Sequence, residues 1–120
     1  MCYEIGEFSS LMGVSVHTLR YYEKEQLIIP QRRQNGRRYY TEQDAEWMTL
    51  IGSLKDTGMP IKEMQHYAQL RTEGDQTMPV RIEMLYAQRE LLVKKISQFK
   101  KHLKHLDAKI ALCEDILTHL

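Results

Sequence analysis

A chain of 120 residues has room for one compact domain and an appendage, and its 42% of hydrophobic residues is enough to form a core. No apolar run approaches the roughly 18 residues that a membrane-spanning helix needs, and the N-terminus lacks the pattern of a secretory signal. We therefore expect a cytoplasmic protein with no membrane partner. Cys2 and Cys113 lie near opposite ends of the chain, which argues against a disulfide framework or a zinc site.

The net charge of +1 hides an uneven distribution of charged residues. Residues 12–40 contain six basic and two acidic side chains, whereas residues 41–78 contain three basic and seven acidic ones. A chain with a local basic block and a nearly neutral total can bind a polyanion with one face.

The N-terminal pattern predicts a helix-turn-helix. Ile5, Phe8 and Met12 recur at helical spacing, and Gly13 is the residue type that most easily ends a helix. Ser15 is a good N-cap for a second helix. Two short helices joined by a turn of about three residues are typical of this motif.

Helical spacing divides the second helix into two faces. Leu19 and Tyr22 lie on the face that we expect to enter the core. The opposite face has hydrogen-bond donors and an aromatic ring but no carboxylate, which suits contact with DNA phosphates and base edges. Its members are His17, Arg20, Tyr21 and Lys24.

The stretch QRRQNGRRYY, residues 31–40, predicts a basic β-hairpin. Asn35-Gly36 is a strong turn signal because both residues tolerate positive φ. An isolated hairpin is only marginally stable in water, so we expect this one to pack against the helices. A basic ribbon beside a helix-turn-helix indicates a winged helix. The four arginines of the ribbon are Arg32, Arg33, Arg37 and Arg38.

Two further helices follow the predicted wing. Thr41 and Asp44 have the spacing of a capping box at the start of the first, which Thr57-Gly58 ends, and Pro60 suits the first turn of the second. Residues 71–79 predict a connecting loop. The expected core stripes are Trp47, Leu50, Ile51 and Leu54 in the first helix, and Ile61, Met64 and Ala68 in the second.

Residues 79–120 predict one long helix, about 60 Å in length, with a coiled-coil seam. Apolar residues recur at spacings of three and four throughout, and only Arg89 breaks the seam. So long a stripe cannot be buried against so small a domain, and a second copy of the chain is the simplest partner. The residues that we expect in the dimer contact are Leu85, Leu92, Ile96, Phe99, Leu103, Leu106, Ile110 and Leu117.

The predicted fold class is therefore mostly α. We expect a winged helix-turn-helix DNA-binding domain over residues 1–73, with its wing at about 31–40, a linker at 74–78 and a dimerisation helix at 79–120.

These motifs together resemble the MerR family of bacterial transcription regulators, over roughly the first 70 residues. The resemblance implies that the long helix forms an antiparallel dimer coil. It also implies binding to pseudo-palindromic promoters with an overlong spacer, which an activating effector causes the dimer to bend and untwist so that RNA polymerase engages. The motifs that carry it are Gly-Val-Ser at 13–15, Thr-Leu-Arg-Tyr-Tyr-Glu at 18–23, Asn-Gly-x-Arg-x-Tyr at 35–40 and Gly-x-x-x-x-Glu at 58–63.

The resemblance also implies which residues contact DNA. Side chains of the second helix would dock in the major groove or on its flanking phosphates, and side chains of the wing and the fourth helix would hold the DNA backbone. The full set that we expect is His17, Thr18, Arg20, Tyr21, Lys24, Arg33, Arg37, Arg38, Tyr40 and Lys62.

The signal that the protein senses is less evident from the sequence. The chain stops within the predicted coil, so we expect no effector-binding domain after it. A site for a thiophilic metal needs at least two soft ligands close together, and none is predicted. The sequence is similar to a short subgroup that senses aldehydes and other electrophiles through a thiol in the third helix, but Ser53 occupies that place and cannot form a thiolate. Cys2 or Cys113 would have to substitute, and we expect no metal and no cofactor.

Two other function classes are weaker. A helical scaffold whose wing binds a protein would explain the coiled coil, but not four wing arginines beside a recognition face without acids. An enzyme is not expected, because the sequence has no nucleophile–base pair, paired carboxylates or phosphate-binding glycine loop. The salt dependence of binding separates a DNA-binding regulator from a scaffold.

Overall fold

Five α-helices and three short strands make up the chain, which the computed structural model describes over residues 1–120. The chain divides into two compact units, Met1–Ile82 and Glu83–Leu120. In chain order the elements are β1 (Cys2–Glu4), α1 (Ile5–Met12), α2 (Val16–Lys24), β2 (Gln31–Arg32), β3 (Arg38–Thr41), α3 (Glu42–Asp56), α4 (Ile61–Glu73), a 3-10 turn (Asp75–Thr77) and α5 (Met78–Thr118).

Helices α1 and α2 form the predicted helix-turn-helix, and the residues that delimit them act as expected. Gly13 ends α1 in the left-handed conformation, at φ 67°, which glycine adopts without steric cost. Ser15 caps α2, since its hydroxyl accepts a hydrogen bond from the backbone N–H of Thr18 at 3.0 Å. The turn between the two helices is therefore fixed by local chemistry.

The core of the Met1–Ile82 unit lies where the helical periodicity places it. Leu19 and Tyr22 are buried from α2, as predicted, and the indole N–H of Trp47 donates to the carbonyl of Leu27 at 2.7 Å. That bond satisfies the one polar atom of a buried tryptophan. Of the predicted stripes, Leu50 and Ile61 are only half-buried. The other buried apolar side chains include Phe8, Ile28, Ile51, Leu54, Met59, Met64 and Tyr67.

A third strand, β1, joins the two that the sequence predicts. It pairs antiparallel with β3, so that the strand order is β1-β3-β2 and β3 lies in the centre. Tyr3 is opposite Tyr40, while Arg32 of β2 is opposite Arg38. The two predicted strands, β2 and β3, thus belong to a three-stranded sheet, and the pairing of β3 with β1 anchors the wing to the rest of the domain.

The turn of the wing differs from the expected two-residue Asn-Gly turn. The N–H of Arg33 donates to the carbonyl of Arg37, so three residues form the loop. Of these three only Gly36 has positive φ, at 83°, whereas Asn35 keeps negative φ and accepts a hydrogen bond from the Arg37 N–H through its side chain. This is a type I turn followed by a left-handed glycine, the usual solution for a three-residue hairpin loop.

Residues 71–79 are mostly helical, so the predicted loop is wrong. Helix α4 continues to Glu73, and the guanidinium of Arg71 lies 4.9 Å from the centre of the Trp47 ring. The hydroxyl of Thr77 donates to the carbonyls of Leu70 and Gly74, and buried Arg81 donates to the Thr77 hydroxyl at 3.0 Å. Side chains thus satisfy carbonyls that the end of a helix leaves free, which favours a tight helical corner over a loop.

Helix α5 is continuous over 41 residues, in agreement with the prediction of one long helix. At 1.5 Å per residue its length is about 60 Å. No helix in the structure combines the length and the apolar character needed to cross a bilayer.

Candidate nucleic-acid interface

The outer face of α2 carries the side chains predicted for DNA recognition. His17, Arg20, Tyr21 and Lys24 are all exposed, as the helical spacing indicates. Thr18 is half-buried, with its hydroxyl 2.9 Å from that of Ser15, so it belongs partly to the helix cap. The exposed face contains cations, a ring and an imidazole but no carboxylate, and this composition suits contact with phosphates and base edges.

A recess of about 380 Å³ opens beside this face. Its walls come from three helices, α2, the last turn of α3 and the first turns of α4. Lys55 stands at this recess and was not among the residues predicted from sequence, because a lysine in the last turn of a helix is usually explained by the helix dipole alone. Predicted Lys62 is exposed immediately after Ile61. The recess is lined by His17, Thr18, Tyr21, Tyr22, Lys55, Ile61 and Met64.

Two of the predicted wing arginines project into solvent. The Arg33 guanidinium lies 4.9 Å from the centre of the Tyr39 ring, which holds the cation in place while its edge stays exposed. Arg37 is 70% exposed and lies 3.7 Å from a carboxylate oxygen of Glu4. An ion pair this open contributes little, so Arg37 is free to exchange that carboxylate for a phosphate.

The other two wing arginines share one carboxylate on α2. Arg38 Nε donates to Glu23 Oε1 at 2.6 Å, and Arg38 Nη2 and Arg32 Nη2 donate to Glu23 Oε2 at 3.3 and 3.4 Å. The hydrogen bond from Arg38 holds the pKa of Glu23 below its ordinary value, although partial burial opposes the shift. Sequence reasoning left Glu23 out, since its i and i+15 relation to Arg38 is visible only in the fold.

The structure removes Tyr40 from the predicted set of DNA contacts. Its side chain is completely buried, and its ring stacks on Phe8 with centroids 4.3 Å apart, so it cannot reach the DNA backbone from this position. Side chains alternate across a strand, and β3 directs Tyr40 into the core. Burial is also the main cause that raises the pKa of the Tyr40 hydroxyl. The family resemblance implied that Tyr40 holds the DNA backbone, and its complete burial contradicts that expectation.

The predicted dimer seam is largely exposed on α5. Phe99 is 70% exposed and Leu117 is 69% exposed, while Leu85 and Leu92 are half-buried. Single exposed apolar residues are ordinary, but a continuous row of them marks an interaction surface. The other exposed members are Ile96, Leu103, Leu106 and Ile110.

Comparison with known proteins identifies the winged unit. The sequence profile of the MerR HTH family regulatory protein matches residues 3–70, which is more than half of the chain. The chain belongs to the MerR family. An uncharacterized HTH-type transcriptional regulator of Haemophilus influenzae is 33% identical over 113 residues, which cover 92% of this chain and 83% of that protein. The HTH-type regulator YyaN of Bacillus subtilis is 32% identical over 120 residues, covering 98% of this chain and 85% of that protein.

A solved structure extends the likeness to MerR proteins beyond the winged unit. HiNmlR, a MerR family regulator lacking the sensor domain, was crystallised bound to promoter DNA. It matches with a TM-score of 0.82 and 32% identity, over 92% of this chain and 89% of that one. This MerR protein therefore shares with HiNmlR a winged helix-turn-helix, a small sheet and a long C-terminal helix. The chain is a transcription regulator, as the predicted family and fold implied.

Ser53, on α3, is exposed to solvent. Cys2 and Cys113 are free thiols and are also exposed.

Proposed function

We propose that this MerR regulator is a homodimer that binds promoter DNA through α2 and the wing, and that it acts with RNA polymerase by distorting the DNA between two half-sites. The observation that carries the proposal is the exposed, acid-free face of α2 beside a wing with two exposed guanidiniums, Arg33 and Arg37. A helix of this kind fits the major groove, and wing cations fit the flanking phosphates.

The promoter-bound state of HiNmlR supports the DNA partner, since the two chains share their architecture over most of their length. Contacts from His17, Arg20, Tyr21 and Lys24 to DNA are part of this proposal, as are contacts from Lys62 and from Lys55 at the recess. Arg20 and Tyr21 are the most informative of these, because they stand at the centre of the exposed face.

The homodimer follows from the seam of α5. The exposed apolar side chains that recur from Ile96 to Leu117 call for a partner, and an identical helix provides the same apolar row. A dimer in turn places two recognition helices on one duplex. Distorting a promoter spacer costs on the order of a few kcal/mol, which the phosphate contacts of two wings help to offset.

Fluorescence anisotropy tests the DNA-binding proposal. The purified chain is titrated into a labelled duplex from just upstream of its own gene, at two salt concentrations, with a random duplex of equal length as the control. We expect tight binding that prefers the upstream sequence and weakens steeply at the higher salt, because phosphate contacts release counterions.

Equal affinity for the random duplex would contradict sequence-specific binding to that promoter. Affinity that does not change with salt would contradict the phosphate contacts, and would favour a scaffold that binds protein.

A further inference from the structure

We infer that Glu23 is a positioning residue of the DNA-binding surface, which fixes the wing against the recognition helix through Arg38 and Arg32. This inference rests on the proposed DNA binding and deepens it, since it assigns different roles to the four wing arginines. Arg33 and Arg37 bind DNA, whereas Arg32 and Arg38 hold the wing in place.

The geometry of the Arg38 contact is that of a clamp rather than a loose ion pair. Two nitrogens of one guanidinium reach the two oxygens of one carboxylate, at 2.6 and 3.3 Å. Only about a quarter of each side chain is exposed, 26% for Arg38 and 24% for Glu23. Paired hydrogen bonds of this type restrict orientation as well as distance, so they fix the angle between helix and strand.

Arg32 extends the clamp to the tip of the wing. One of its terminal nitrogens contacts Glu23 at 3.4 Å, while the other donates to the carbonyl of Gly36 at 2.9 Å. Glu23 is therefore connected to both strands of the hairpin and, through Arg32, to the turn. The turn lies directly between Arg33 and Arg37, so its position decides where their guanidiniums stand.

The charges in the clamp also favour this division of roles. Glu23 precedes Lys24 at the end of the recognition helix, where an unpaired carboxylate would repel DNA. Arg38 and Arg32 both pair with this carboxylate, so it does not face the DNA unpaired, and both guanidiniums are already engaged in the clamp. If they left Glu23 to bind phosphate, the carboxylate would be exposed to the same phosphate, which opposes the exchange.

A double-mutant cycle between Glu23 and Arg38 tests the inference. Promoter affinity is measured by anisotropy at several salt concentrations for Glu23→Gln, Arg38→Ala and the double variant. Positioning predicts a loss of roughly tenfold for each single variant and hardly more for the double variant, because both remove the same clamp. It also predicts the same salt dependence for Glu23→Gln and Arg38→Ala, since both variants act on DNA binding through the same wing contacts.

Direct phosphate binding by Arg38 predicts the opposite results and would overturn the inference. Glu23→Gln would then free the guanidinium and tighten binding, and Arg38→Ala would lower the slope of log affinity against log salt by about one. Arg33→Ala serves as the positive control for such a change in slope. Glu46→Gln, at an exposed position on α3, is the matched control for removing a carboxylate.

Arg38→Lys keeps the positive charge but loses the paired hydrogen bonds, and it provides a second test that does not depend on Glu23→Gln remaining folded. Positioning predicts binding that is weakened about as much as in Glu23→Gln, and a direct contact predicts nearly full affinity. Absence of DNA binding by the unchanged protein would instead reject the proposed function itself, so the two failures are distinguishable.

Discussion

Arg20 is the residue whose loss should most simply report on DNA recognition, because it is exposed at the middle of the α2 face. We expect Arg20→Ala to weaken promoter binding by roughly 1–3 kcal/mol, the range for removal of an arginine that contacts a base or phosphate. An anisotropy titration measures the change, with Lys101→Ala on α5 as a control for loss of a surface cation. Unchanged affinity would remove Arg20 from the interface.

Glu23 should also give the stability of the winged unit a distinct pH dependence. The Arg38 hydrogen bond lowers the pKa of the folded carboxyl below its ordinary 4.5. The clamp therefore contributes its full stability above about pH 4.5, and this contribution is lost as pH falls through the lower pKa of the folded state. In urea unfolding, the natural chain and Glu23→Gln should differ in stability at pH 6, and this difference should shrink as the pH is lowered into the acid range below 4.5. A difference that stayed the same as the pH was lowered would contradict the assignment.

At this scale the sequence predicts the direction of a side chain best where the periodicity is complete. Leu19 is buried and its neighbour Arg20 is exposed, and the 3.6-residue repeat of α2 predicts both correctly. Tyr40 and Arg38 lie on a strand of four residues, where the alternation has too few members to show which face is buried. Their partners, Phe8 and Glu23, are distant in sequence, so the stacked ring and the clamp depend on the tertiary fold.

At the scale of elements, two glycines with equally open surroundings but different backbone conformations can be compared, one in the wing and one in α3. Gly36 has φ 83°, a conformation that an L-residue adopts only with strain, although no atom blocks an added Cβ. Gly52 lies within α3 with equally open space and no positive φ. We expect Gly36→Ala to destabilise by about 1 kcal/mol and Gly52→Ala to stabilise by about 0.5–1 kcal/mol.

Chemical unfolding of both glycine variants checks these signs, and promoter affinity provides a second reading. Gly36→Ala should also weaken DNA binding, because the turn carries Arg33 and Arg37. If Gly36→Ala proved as stable as the natural chain, the left-handed turn of the wing would be refuted.

Elements with strong local signals are predicted well, and the others are not. Caps, glycines and apolar spacing specify α1, α2 and α3 from nearby residues alone. Strand β1 has three residues and exists because β3 offers it a free edge, which no local pattern can show. The segment at 71–79 has the composition of a loop, yet Thr77 and Arg81 convert it into a helical corner by bonding to carbonyls that only the folded chain brings close.

The proposed homodimer depends on the apolar seam of α5. We expect the double variant Leu103→Lys and Leu106→Lys to be monomeric, since two charges in the middle of a buried seam would be left unpaired in the dimer. Sedimentation equilibrium measures the mass of the particle. A monomer should also lose most promoter affinity, because one recognition helix then acts alone.

A matched control uses two other exposed leucines of the same helix. Leu91 and Leu112 lie outside the seam spacing, and each is about half exposed, at 51% and 53%. Leu91→Lys with Leu112→Lys should therefore leave the dimer intact. A dimer that survived the seam substitutions and dissociated with these would place the pairing surface on another face of α5.

Arg89, the one polar residue among the apolar seam positions, has a consequence for the choice of partner. Its guanidinium lies 3.6 Å from the carboxylate of Glu90, and both side chains are about two-thirds exposed, at 66% and 67%. A seam arginine is tolerated where its stem covers apolar surface and its charged end still reaches water or a carboxylate. A foreign helix that buried this charge without a counterion would pair poorly, at a cost of several kcal/mol. In the proposed homodimer, Arg89 would therefore favour pairing with a second copy of this chain over pairing with an apolar helix that offers the charge no counterion.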